Sequence, residues 1–257
     1  MKRITFNIPS YKRANAPMET LKLFPDARIW VAEFEAEDYR KNFPNHEIVV
    51  MPDSAQGLWS RARNYLLERM DSDIFYILDD DISSIAEMKG PKLINHRDPE
   101  VIAQLLERAG QLAIDWGSPY FGLNTNAQPI AAPGYLPFSL HNPCTGPVSG
   151  FLKNCECRYD ETVNIKSDWD MAIQAAVKYG KELRVNYLSY KAKINEGTGG
   201  SAEQRNNRIE VEQLKLLRRK WGDDIVKLPP KVKWSEINEF SPTVDLVPKI
   251  KLPVNGA

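Results

Sequence analysis

Ile74-Phe75-Tyr76-Ile77-Leu78-Asp79-Asp80-Asp81-Ile82 decides the fold. Five successive apolar residues without alternation mark a strand covered on both faces, as in a parallel sheet between helices. The strand runs straight into three carboxylates. Adjacent carboxylates repel one another unless a cation or several donors neutralise them. At the carboxyl end of a central strand they face the crevice in which α/β proteins bind ligands. A D-x-D spacing lets Asp79 and Asp81 flank a hard divalent ion that also holds a diphosphate, and oxygen-only ligation suits Mg²⁺ or Mn²⁺. The competing reading is that one aspartate caps a helix at Ile82-Ser83-Ser84-Ile85-Ala86 while the others are solvated. A cap needs one carboxylate, not three.

Outward from this stretch, strands are expected over residues 4–8, 28–32 and 47–51, the first stopped by Pro9-Ser10 and the third by Pro52. Between the third and fourth strands, apolar positions 58, 59, 62, 65, 66 and 70 follow helical spacing. The pattern is βαβ and the class α/β. The first turn lacks G-x-G-x-x-G, which disfavours dinucleotide binding. Further helices are expected over 99–116, 168–179 (ended by Gly180) and 203–221. Residues 117–150 carry six prolines and are expected to be mostly loop with two short strands. From 228 onward prolines recur, so 228–257 is expected to be an extended tail wrapping the body or left loose.

The chain has 257 residues, 42% hydrophobic and 26% charged, an ordinary soluble globular mix. Thirty-four basic residues balance 34 acidic ones, which excludes a wholly basic nucleic-acid binder but not a local basic patch. Residues 70–100 are acidic, with 8 Asp/Glu against 3 Lys/Arg, and 178–234 are basic, with 14 Lys/Arg against 7 Asp/Glu. Lys215, Arg218, Arg219, Lys220, Lys227, Lys231 and Lys233 can track a phosphate backbone, with Tyr187, Tyr190, Trp221 and Trp234 stacking on bases. The plain alternative is a solvated helix face and tail. No apolar run approaches the ~20 residues of a membrane span, and the apolar stretch at the start is too short for a signal peptide. Three cysteines make no disulfide framework, so a reducing, cytoplasmic setting is expected.

Several segments together resemble glycosyltransferases of the GT-A fold over roughly residues 4–222. They are Ile8-Pro9-Ser10-Tyr11-Lys12-Arg13, Arg61-Ala62-Arg63-Asn64, the Asp79-Asp80-Asp81 strand end, Val148-Ser149-Gly150-Phe151-Leu152, Tyr159-Asp160-Glu161 through Ser167-Asp168-Trp169-Asp170, and Asn195-Glu196-Gly197-Thr198-Gly199-Gly200 with Arg205. The start, the R-N-Y-x-L helix, the D-D-D-I and the late glycine region resemble, more narrowly, the TET-associated glycosyltransferases of phages, thought to glycosylate hydroxymethylated pyrimidines in DNA. The resemblance implies a Rossmann-like, mixed, mainly parallel sheet flanked by helices in one domain, 1–227. Residues 1–116 would bind the nucleotide sugar, residues 117–227 would serve the acceptor, and the tail would follow. It implies a UDP-sugar donor, a Mn²⁺ or Mg²⁺ cofactor and, as favoured acceptor, 5-hydroxymethylcytosine in DNA. The setting would be cytoplasmic, the host's if the gene is a phage's.

Under this resemblance Pro9, Ser10, Tyr11, Arg13, Arg61, Asn64, Asp79, Asp80, Gly199, Gly200 and Arg205 bind the nucleotide sugar. Asp79, Asp81 and Asn195 hold the metal, Asn195 standing where the family more often has a late histidine. Asp168 is the catalytic base and Asp170 its possible substitute. The residues admit plainer roles. Arg13 can pair with a phosphate or lie on the surface. Tyr11 can stack on a base or belong to the core. Arg61 and Asn64, three apart, share a helix face that can point to the site or to solvent. Asp168 suits a helix N-cap. The loop 196–201 can wrap a phosphate with its backbone N–H groups, Arg205 and Arg208 completing the clamp, or be a linker. His141, Cys144, Cys155 and Cys157 form H-x2-C…C-x-C, an uncommon zinc spacing. A base pocket is sought in 117–150, near Tyr120, Phe121, Asn124, Asn126, Tyr135 and His141. Alternative functions are transfer to a small molecule, glycan or protein, and an inactive scaffold that only binds nucleic acid.

Overall fold

The computed structural model describes residues 2–126, 134–192, 206–229 and 246–254. The chain begins with β1 (Ile4–Pro9), α1 (Thr20–Leu23), β2 (Arg28–Ala32), α2 (Ala36–Asn42), β3 (Ile48–Met51), α3 (Trp59–Glu68) and β4 (Ile74–Leu78). Next come β5 (Ile82–Lys89), β6 (Lys92–His96), α4 (Pro99–Asp115), β7 (Tyr120–Asn124), β8 (Phe138–Ser139) and β9 (Val148–Leu152). The chain continues through α5 (Ser167–Tyr179), β10 (Leu183–Ala192), α6 (Asn207–Trp221), β11 (Val226–Lys227) and β12 (Lys249–Ile250).

A ten-stranded sheet runs in the order β3-β2-β1-β4-β9-β7-β10-β5-β6, with β8 pairing β10. β3, β2, β1 and β4 are mutually parallel. β9 runs antiparallel to both β4 and β7, and β5 antiparallel to β10. The chain leaves β1 toward β2 on one side and later places β4 on the other. That reversal opens a crevice at the carboxyl ends of β1 and β4.

β4 is buried along its whole length, and its side chains alternate between two cores. Ile74, Tyr76 and Leu78 pack with Ile102, Leu105, Leu106 and Ala109 of α4. Phe75 and Ile77 pack with Ala62, Leu66 and Leu67 of α3 and with Met171, Ala172 and Ala175 of α5. Asp98 caps α4 by accepting from the amides of Glu100 (2.9 Å) and Val101 (3.4 Å), and Pro99 occupies its first turn. A third core joins Ile173 and Ala176 of α5 to Leu214 and Leu217 of α6, with Val226, Leu246 and Leu252. The described piece 246–254 therefore wraps the body, and β12 pairs with β11.

Three expectations are corrected. Residues 82–86 are strand, not helix. Ile82, Ile85 and Ala86 fit helical spacing, but β5 is covered on both faces and paired on both edges, and burial of that kind removes any alternation. Residues 117–150 hold three strands, and Tyr120, Phe121 and Asn124 are buried in β7 rather than lining a base pocket. Tyr135 is exposed. Among the described residues no three His, Cys, Asp or Glu side chains converge on one point, which leaves Cys144, Cys155 and Cys157 as buried thiols without a zinc set.

Candidate active site

The triplet is fixed by backbone contacts before any side chain is considered. Asp79 N–H donates to the Pro147 carbonyl at 3.0 Å. Thr20 Oγ1 donates to the Asp79 carbonyl at 2.6 Å and accepts from Ile82 N–H at 2.9 Å. One hydroxyl from α1 thus closes the turn between β4 and β5. The three carboxylates then diverge. Asp80 turns toward β1, where it pairs with Arg13 and accepts from Ser10 Oγ at 3.4 Å. Asp79 turns toward α3 and meets Arg63 Nη2 at 3.2 Å. Asp81 has a buried Oδ1 with no hydrogen-bond partner among the described residues.

Arg63 is the centre of the site. Its side chain is 1% exposed and joins Asp79 to Asp168 across the cleft, Asp168 Oδ1 taking Nη1. The guanidinium lies over the Trp59 ring at 4.2 Å and the Tyr159 ring at 5.2 Å, so it is stacked as well as paired. Burial opposes its charge, but Asp168, Tyr159 and Asp79 more than restore it and raise its pKa. The other oxygen of Asp168 accepts from Gly146 N–H at 3.3 Å. Asp168 lies in the first turn of α5 but makes no cap, because the N-cap residue is Lys166.

Together these residues line a cleft of about 400 Å³. Pro9, Ser10, Tyr11 and Arg13 form one wall, the triplet the floor, and Thr145, Gly146, Asp168 and Trp169 the far side. Tyr11 meets Phe34 edge-on at 6.2 Å, with Lys12 over its ring. Desolvation raises all three triplet carboxyls. Asp79 reaches about 7, Arg63 pulling down and Asp81, Asp168 and Asp80 pushing up. A buried, unpartnered oxygen beside two more acidic side chains fits a divalent cation. Among the described residues no third carboxylate, histidine or cysteine converges there, and a set of one or two carboxylate oxygens suits Mg²⁺ or Mn²⁺.

The structure brings Pro9, Ser10, Tyr11, Arg13, Asp79, Asp80, Asp81 and Asp168 into one cleft. Arg61 and Asn64 do share a helix face, but it turns away from the cleft. Arg61 Nε pairs with Glu161 at 2.8 Å, and Asn64 exchanges two 2.8 Å hydrogen bonds with the Tyr159 backbone. They anchor the segment that carries the Tyr159 ring against Arg63. Asp170 is also outside, fully buried against Lys220 (2.8 Å), Trp221 Nε1 (2.7 Å) and Gln174 Nε2 (2.6 Å). A carboxylate so engaged has no access to an acceptor. Asn195, Gly199, Gly200 and Arg205 lie outside the described residues.

Part of the basic stretch is paired within the protein, and Lys231 and Lys233 lie outside the described residues. Lys178 meets Glu156, Arg208 meets Glu212, Arg218 meets Asp223, and Lys220 meets Asp160 and Asp170. Tyr190 is 8% exposed inside the cleft, and the Trp221 indole is tied to Asp170, so neither forms an outer stacking platform. Trp234 lies outside the described residues.

The profile of the TET-Associated Glycosyltransferase family matches residues 5–197. No curated protein sequence matches the chain. Among solved structures, a mannosyltransferase from Pyrobaculum calidifontis in complex with GDP-Man and Mn²⁺ is 11% identical with a TM-score of 0.53. The match covers 76% of this chain and 58% of that one, so this chain spans well under two thirds of that enzyme's length. Glucosyl-3-phosphoglycerate synthase from Mycobacterium tuberculosis, in complex with Mn²⁺, UDP-glucose and glycerol 3-phosphate, is 10% identical with a TM-score of 0.50, over 98% of this chain and 90% of that one. At such identity the likeness is one of fold, and both neighbours are glycosyltransferases. Among the described residues no helix is long and apolar enough to cross a membrane. With a family match over most of its length and a sheet that bears three aspartates at the switch point, this chain belongs to the TET-associated glycosyltransferases, on a GT-A fold.

Proposed function

We propose that the chain moves a sugar from a nucleoside-diphosphate donor, UDP-linked, to a hydroxyl acceptor, favoured as 5-hydroxymethylcytosine in DNA. The observation that carries the reaction class is the pairing of Asp79 and Asp168 through one buried guanidinium. A carboxylate group suited to a cation faces a second carboxylate across a cleft, and transfer from a diphosphate needs both. Asp79 and Asp81 would hold a divalent ion, which would supply positive charge against the charge developing on the diphosphate as it leaves. Arg13 and the β1 end hold the nucleotide side. Asp168 takes the proton of the incoming hydroxyl as its oxygen attacks the sugar carbon. Arg63 holds Asp168 in place through its paired guanidinium. The DNA acceptor is supported by family membership.

Pairing of Arg208, Arg218 and Lys220 within the protein favours a second reading, in which the acceptor is a small molecule, glycan or protein. The experiments separate the readings. UDP with Mn²⁺ raises the melting temperature of the wild-type chain and not of Asp81→Ala. If UDP stabilises neither protein, the enzyme reading gives way to a binding scaffold. Nucleoside mass spectrometry after incubation of hydroxymethylated DNA with several UDP-sugars then shows a hexose or pentose mass on 5-hydroxymethylcytosine. A sugar mass on another acceptor only, with bare nucleosides, establishes the second reading.

A further inference from the structure

We propose that the phenol hydroxyl of Tyr190 donates a hydrogen bond to the sugar being transferred, between the triplet and Asp168. The proposal rests on the glycosyltransferase reading above and adds a residue to it. Tyr190 lies on β10, in register with Ile85 of β5, and lines the same cleft as Asp79, Asp81, Gly146 and Asp168. It is buried, yet its hydroxyl makes a long 3.4 Å contact to the Thr145 carbonyl, where an O–H donor prefers about 2.7–2.8 Å. A buried hydroxyl left poorly satisfied is destabilising, so its place needs a reason.

The opposite wall is shaped around this hydroxyl. Gly146 has φ +99°, and a Cβ there would stand 2.1 Å from Tyr190 Oη. The same Gly146 gives its N–H to Asp168. Glycine is thus required at the residue that holds the base, by backbone conformation and by the space Oη occupies. The same cleft is lined by the carboxylates of Asp79, Asp168 and Asp81, which accept when ionised. Sugar hydroxyls and ring oxygens there need a neutral donor. A phenol ordinarily loses its proton only near pH 10, so at neutral pH the group is a donor. The transferred sugar must bridge the diphosphate end and the base end, and Tyr190 lines the cleft that holds both.

Calorimetry in Mn²⁺ with UDP, UDP-glucose, UDP-galactose, UDP-N-acetylglucosamine and GDP-mannose tests the assignment on wild type and Tyr190→Phe. The expected result is unchanged UDP affinity, a three- to tenfold loss for the sugar nucleotide that the wild type prefers, and a 10- to 100-fold fall in kcat for its hydrolysis or transfer. A purely structural tyrosine would not separate UDP from the sugar nucleotide. Equal sugar-nucleotide affinity and kcat in Tyr190→Phe overturn the proposal while leaving the enzyme reading intact. A wild-type chain that binds neither UDP nor any sugar nucleotide in Mn²⁺ overturns both.

Discussion

Two groups of aspartates lie within one domain and differ in how they are satisfied. Asp170 is fully buried, yet Lys220, Trp221 and Gln174 engage both of its oxygens, and Asp160 shares the same lysine. In the triplet, Asp79 and Asp80 each meet one arginine, and a buried oxygen of Asp81 meets no hydrogen-bond donor among the described residues. Burial alone does not mark a site. The mark is a desolvated carboxylate left incomplete on the wall of a cleft; Glu35 and Glu182 also have a buried oxygen without a hydrogen-bond partner among the described residues, but neither lines the cleft. The largest effect that can break this contrast is in stability. Asp170→Ala strands the Trp221 N–H and leaves Lys220 with Asp160 alone, and should cost about 2–3 kcal/mol in urea unfolding. If it costs less than about 1 kcal/mol and instead abolishes transfer, the two groups have been assigned the wrong way round.

Within the site, Asp168 and Arg63 should act as one unit. Asp168→Asn keeps the size of the side chain and should lower kcat by about 10²–10⁴-fold, with UDP and Mn²⁺ binding retained. Loss of nucleotide binding in that variant would move Asp168 from the acceptor side to the donor side. Combined with Arg63→Lys, the losses should add to less than their sum, since both substitutions disturb the same pair.

The contrast also shows what the sequence made legible. The β1–β4 half follows from unbroken apolar runs ending in Pro9 and in the triplet, because parallel strands buried on both faces have that signature. Asp168 and the triplet are recognisable because carboxylates at strand and helix ends lack an apolar explanation. Asp170 looks the same in sequence. What separates it is Lys220 and Trp221, about fifty residues away, and contacts at that distance leave no local pattern. Arg63 had a local signal. It lies on the stripe with Ala62, Leu66 and Leu67, and an arginine at core spacing must find carboxylates. Arg61 and Asn64 do share a face, but a shared face does not reveal its direction. Tyr190 and Gly146 had no signal, since their fit depends on two separate strands and a loop meeting in space.

A third buried carboxylate lies outside both groups. Glu182 is fully buried, accepts from Cys144 N–H at 2.5 Å, and has a second oxygen without a hydrogen-bond partner among the described residues. Desolvation lifts its pKa from 4.5 to about 8, with the Cys144 amide and Arg184 opposing. The folded state therefore holds this proton more tightly than the unfolded chain does. The associated stability is complete below about pH 4.5 and is lost as pH rises to 8. Glu182→Gln should raise stability at pH 8 by up to about 3 kcal/mol and change little at pH 4.5. A gain of equal size at both pH values would mean that the charge is not responsible.

The smallest stability change is expected at Asp81, and it is the sharpest test of the contrast. Desolvation and Asp80 raise the Asp81 carboxyl, so its charge opposes folding. Asp81→Asn removes that charge without removing a hydrogen bond from the unpartnered oxygen, and the unliganded protein should melt at or slightly above the wild-type temperature. Mn²⁺ binding should be lost all the same. In the wild type, Asp79 with its carboxyl at about 7 makes the ion compete with a proton. Apparent Mn²⁺ affinity should climb as pH rises toward 7 and level off above it. Asp81→Asn that melts far below the wild type, or binds Mn²⁺ with undiminished affinity, would mean that Asp81 is a structural carboxylate like Asp170. The divalent ion would then have to be held elsewhere in the cleft.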